Sequence, residues 1–111
     1  MDAEKGQAIS ILGVEPTSEA IRARYQPEAR YRVNEEFYPP STYFHGTGVE
    51  APLFVLEGAI EISSEDAPEN FIEVREGEYL LKPIGGYRMR VDDPSGAKVV
   101  WVLEVPAPYT W

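Results

Sequence analysis

No cysteine occurs in the 111 residues of the chain, which excludes disulfides, thiolate metal sites and thiol nucleophiles. Histidine is nearly as scarce, with a single copy at His45. Basic residues are few: 10 Lys and Arg stand against 19 Asp and Glu, a formal charge of −9 at pH 7. That balance speaks against a nucleic-acid partner, because affinity for a phosphate backbone rests on clustered Lys and Arg. It speaks equally against binding to an anionic membrane surface. No apolar run approaches the ~20 residues of a membrane-spanning helix. The opening MDAEKGQ shows neither the basic start nor the apolar stretch of a secretory signal, so a cytoplasmic location is expected.

What is present suits one domain over residues 1–111. The chain is 43% apolar and 12% aromatic, enough to build a core rather than a disordered tail. Ten prolines and nine glycines are spread along it, which fits many short strands better than long helices. Thr17 to Tyr25 has a helical start signal in Thr17, Ser18 and Glu19. The same stretch alternates, with Ile21, Ala23 and Tyr25 against Arg22 and Arg24, and a strand from Ile21 to Tyr25 is the preferred reading. Ala29 to Val33, Leu53 to Leu56, Ala59 to Ile62, Phe71 to Val74, Tyr79 to Leu81 and Tyr87 to Val91 all read as strands. Pro39-Pro40 blocks ladder pairing between two of them, and Asp92 to Gly96 reads as a turn. Lys98 to Val105 is apolar on both faces except at Glu104, so it needs cover on both sides. The expected class is all-β, a sandwich or barrel of short strands.

Two stretches resemble the motifs of the cupin superfamily. In the first, 45–58, His45, Thr47, Ala51 and Gly58 fall where the family has His, His, Glu and Gly, and FVLEGAIEI is similar to the family's strand-turn-strand. In the second, 77–92, Gly77, Pro83 and Gly85 keep the family spacing, while Arg88 and Asp92 stand at its His and Asn positions. The resemblance implies a cupin-like jelly roll. Cupins typically hold a divalent metal on three His and one Glu, and His45 alone matches that set in place. Thr47 and Ala51 are poor ligands, and Arg88 is a permanent cation that repels a metal. No cofactor is therefore expected; a divalent metal would have to rest on His45 and Glu50.

The candidate site residues follow from these positions. His45 reads either as a strand histidine packed among Tyr43 and Phe44, or as a general acid or base, since its ordinary pKa lies near ~6.5. Arg88, with Arg90 on its face, has three open readings. It points into the barrel and pairs with Glu50; it clamps an anionic ligand; or Tyr87, Met89 and Val91 take the core and both arginines face solvent. The expected ligand-binding set is Arg88, Glu50, Tyr43 and Arg90, with His45 as the catalytic candidate.

The function expected is binding of a small, anionic organic molecule in the barrel, without a family-type metal. The alternative is a metal-independent isomerase, epimerase, cyclase or lyase using His45. Behind both stand a metal-dependent cupin enzyme with an atypical site and a purely structural dimerisation module, so the residues leave open whether the chain is an enzyme. A homodimer is expected, because Lys98 to Val105 and Gln7 to Val14 both want cover. Tyr109 and Trp111 are expected to dock on the domain or on a second copy.

Overall fold

The computed structural model describes residues 4–104, so Tyr109 and Trp111 lie outside the described residues. A short strand β1 (Glu4–Gln7) leads into two helical turns, α1 (Ala8–Leu12) and α2 (Ser18–Arg24). Seven strands follow: β2 (Tyr31–Tyr38), β3 (Tyr43–Gly48), β4 (Ala51–Ser64), β5 (Ile72–Arg75), β6 (Glu78–Lys82), β7 (Gly85–Arg90) and β8 (Ala97–Glu104). Every pairing is antiparallel. One sheet runs β1-β6-β4-β8-β2 and the other β5-β4-β7-β3, with the long β4 shared between them. This is the all-β jelly roll expected from the sequence.

The sharing of β4 depends on Gly58. Residues before it pair with β6 and β8, residues after it pair with β5 and β7, and the ladder slips between Val55 and Glu57. Gly58 has φ +76°, and a Cβ there would collide with the carbonyl oxygen of Gly96. Only glycine meets both conditions without strain. The runs Leu53 to Leu56 and Ala59 to Ile62 are thus two arms of one bent strand.

Two apolar clusters form, one on each side of the first sheet. Between the sheets lie Leu53, Val55, Ile60, Ile62, Leu80, Met89, Val99 and Trp101. On the outer face Phe54, Tyr79, Val100 and Val102 pack under Ala8 and Ile21 of the helical turns. Alternation along β4 and β8 sends successive residues to these two places. The two-faced apolar strand β8 therefore finds its cover inside the chain, whereas Ile9 and Val14 of the early segment stay exposed.

The reading of Ile21 to Tyr25 as a strand is corrected. Thr17 caps α2 by accepting a hydrogen bond from the Ala20 amide at 3.0 Å, and Gly13, with φ +77°, ends α1. Ile21 is fully buried and Tyr25 partly so, while Ala23 is exposed. An i, i+4 pair on one face is helical spacing; the apparent alternation rested on an alanine that stays in water. Among the described residues no helix is long and apolar enough to cross a membrane.

Because α2 is anchored by Ile21, Ile21→Ala is expected to cost about 2–5 kcal/mol in urea denaturation, against under ~0.5 kcal/mol for the exposed Ala23→Ser. Val100→Asp is expected to unfold the domain, seen as loss of the cooperative transition, and not to release folded monomers.

Candidate functional site

The β3–β7 register decides which side chains can reach the space between the sheets. Phe44 lies opposite Met89 and Gly46 opposite Tyr87, while Tyr43 lies opposite Arg90 and His45 opposite Arg88. Met89 is fully buried and Phe44 packs on the inner core, so the first set faces in and the second faces out. Arg88 and Arg90 are on the outer face, which corrects the reading that Arg88 points into the barrel. His45 is also exposed there, with its ring 5.6 Å from that of Tyr43 in an edge contact.

The structure thus brings Tyr43, His45, Arg88 and Arg90 together, but on the wrong side of the sheet for an internal ligand. Arg90 is already engaged: Nε lies 3.0 Å from the Glu61 carboxylate, and the guanidinium stacks 3.8 Å over Phe71. Glu50 stands apart, exposed on the turn before β4, and forms no ion pair with Arg88. It sits next to Ala51, whose ladder partner is Lys82.

Lys82 is the residue that the motif reading missed. It follows Leu80 by two positions on β6, so the alternation that buries Leu80 also turns Lys82 inward. Its relative exposure is 4%. Nζ donates to the Pro83 carbonyl at 3.0 Å and lies 5.0 Å from the centre of the Tyr87 ring, within cation–π range. Among the described residues no carboxylate comes within ion-pair distance of it. Burial pushes its pKa below the ordinary lysine value, partly offset by the negative charge of Glu50. Ala51 opposite it, fully buried, contributes only a methyl group and no carboxylate.

Two cavities meet at Lys82 and Tyr87. One, of about 360 Å³, runs toward Ile62, Ser63, Ile72 and Pro83. The other, a cleft of about 520 Å³, is lined by Asn34, Glu36, Tyr38, Phe44 and Trp101. Tyr87 is seated on Gly46, where a Cβ would fall 2.5 Å from its ring. On the far side of the cleft the Tyr38 hydroxyl donates to Glu36 at 2.9 Å and accepts from Trp101 Nε1 at 3.0 Å. Burial raises the pKa of Tyr38 well above the usual phenol range, and burial followed by the nearby Glu36 charge raises that of Tyr87. Both phenols are therefore neutral hydrogen-bonding groups at physiological pH.

These donors do not suit a family-type metal. The cleft offers an amine, two phenols, an indole N–H, an amide and one carboxylate, and no imidazole. Among the described residues no group of three or more His, Asp or Glu gathers around a common point. An imidazole-rich first-row site needs ligands that these positions do not carry.

Comparison with known proteins gives the fold and nothing narrower. No family model matches the chain, and no curated protein matches it. Solved structures do. A cupin superfamily protein from Desulfitobacterium hafniense is 6% identical, with 95% of this chain and 79% of that one covered at a TM-score of 0.57. The cupin domain of Cnp3 from Schizosaccharomyces pombe is 9% identical, with 74% and 57% covered at 0.58. The polyketide cyclase RemF from Streptomyces resistomycificus is 19% identical, with 69% and 58% covered at 0.56. The chain has the cupin fold, and it spans little more than half the length of the last two.

The lowered pKa of Lys82 has a stability consequence. Below the folded-state pKa the amine is charged in both states and its desolvation cost is felt in full. As pH rises toward the unfolded value the unfolded chain holds more protons, so stability increases. Lys82→Met is accordingly expected to be more stable than the parent near neutral pH, by ~1 kcal/mol or more. The gap closes as pH rises toward the ordinary lysine range, which thermal melts across pH will follow.

Proposed function

We propose that this cupin-fold chain binds a small organic molecule in the space between its sheets, through an anionic or carbonyl oxygen held by Lys82. The observation that carries the reading is Lys82 itself. A buried amine without a carboxylate partner among the described residues is costly, and this one faces the two cavities rather than filling them. A ligand oxygen supplies the missing acceptor, through a charge-assisted hydrogen bond.

The rest of the lining fits the same ligand. Phe44, Tyr87 and Trp101 form aromatic walls, with Tyr87 and Trp101 at 5.9 Å and Phe44 and Tyr87 at 6.1 Å. Flat apolar surface with a few convergent polar groups is what a small-molecule site requires. Glu36 and Asn34 give the opposite wall an acceptor and an amide, and so a preferred orientation. A small aromatic or unsaturated acid matches this distribution. The acid–base route through His45 loses its support, because that ring lies outside the cavity.

Titration with benzoate and phenylacetate, followed by amide chemical shifts, tests the reading. Perturbations are expected at Lys82, Tyr87 and Trp101 and not at His45 or Arg88. Lys82→Met is expected to weaken binding by about tenfold or more, while Arg88→Ala leaves it unchanged. Shifts confined to Arg88, Arg90 and His45 would move the site to the outer face and overturn the proposal.

A further inference from the structure

We infer that Lys82 is a nucleophile: its amine condenses with the carbonyl carbon of an aldehyde or ketone held in the cavity, forming an imine. The inference rests on the reading that the cavity takes a small organic ligand, and it names the class of ligand. In the step, the nitrogen lone pair adds to the carbonyl carbon to give a carbinolamine. The carbon–oxygen bond then breaks, and the oxygen leaves as water carrying the two hydrogens that the nitrogen gave up. No oxidant or reductant is needed, and the imine returns to amine and carbonyl by the reverse addition of water.

The chain carries its own comparison, because it has three lysines, Lys5, Lys82 and Lys98. Two of them are held as surface ammonium groups. Lys5 pairs with Glu78 at 3.5 Å, and Lys98 lies 3.7 Å from Glu35 and 3.9 Å from Glu57. Lys82 is 4% exposed and has no carboxylate within ion-pair distance among the described residues, so only the more distant Glu50 charge favours its proton. Its fixed partners are a backbone carbonyl and an aromatic face, both weak compared with an ion pair. A desolvated amine of this kind holds a larger neutral fraction and attacks carbonyl carbon more readily.

Geometry completes the case. Lys82 lines both cavities, so a carbonyl carbon can approach from either while the aromatic body of the ligand lies against Tyr87 and Trp101. The Pro83 carbonyl holds Nζ in place and accepts one of its hydrogens. The room for the tetrahedral carbinolamine is that of the two cavities, about 360 and 520 Å³.

The experiment is reductive trapping of the full chain with benzaldehyde and cyanoborohydride near neutral pH, read by peptide mapping of the three lysines. Benzoate binding is measured in parallel on the parent. Benzylation of Lys82 is expected to outrun that of Lys5 and Lys98 by at least about tenfold. Lys82→Arg is expected to abolish the fast phase. Equal labelling of the three lysines with benzoate binding intact overturns the nucleophile and leaves the cavity reading standing. Slow labelling of Lys82 together with no benzoate binding overturns both.

Discussion

The bend of β4 at Gly58 is the constraint on which the remaining structure depends. One strand serves two sheets, and it changes partners where a positive φ meets the Gly96 carbonyl. That close approach ties β4 to the turn leading into β8, and β8 carries Val99 and Trp101 to one side and Val100 and Val102 to the other. The gap between the sheets, the depth of the inner core and the level at which Lys82 meets Tyr87 all follow from where this strand turns. A side chain at position 58 would push β4 away from the Gly96–Ala97 backbone and loosen the β4–β8 ladder.

The inner space divides into an apolar end and a polar one. Toward the apolar end Leu53, Val55, Met89 and Val99 pack without polar atoms. Toward the other end the walls become Lys82, Tyr38, Glu36 and Asn34. The Glu36–Tyr38–Trp101 chain of hydrogen bonds satisfies the phenol and the indole N–H within the protein. Lys82 differs, having one backbone acceptor for three possible donors. Within one cavity the polar groups thus separate into those bonded to one another and one with unused donors.

Much of the fold was legible in the sequence, and the site was not, for one physical reason. Gly58, Gly77 and Pro83 impose backbone conformations, so their spacing survives in the text of the sequence as it does in the structure. The site depends on which face a side chain takes, and the motif match was out of phase with the strand by one residue. It set His45 and Arg88 inside, where Gly46 and Tyr87 stand. The clean alternation of Tyr87, Met89 and Val91 against Arg88 and Arg90 already carried the correct phase. On β2 the usual rule inverts: Tyr31 and Val33 pack under the helices, and the polar Asn34 and Glu36 line the cleft. A sheet covered on both faces has two interiors, and hydrophobicity alone does not say which one a ligand enters. Lys82 is missed because the reading of Tyr79 to Leu81 as a strand stops one residue short of it, while the strand runs on through Lys82.

The seat of Tyr87 on Gly46 has a consequence for the shape of the interior. The ring lines both cavities and rests on a residue without a side chain. Any side chain at position 46 would displace it, and with it the aromatic face that Lys82 and Trp101 share. The contour of the cavities is thus set in part by a missing methyl group on a strand that lines neither of them at that position.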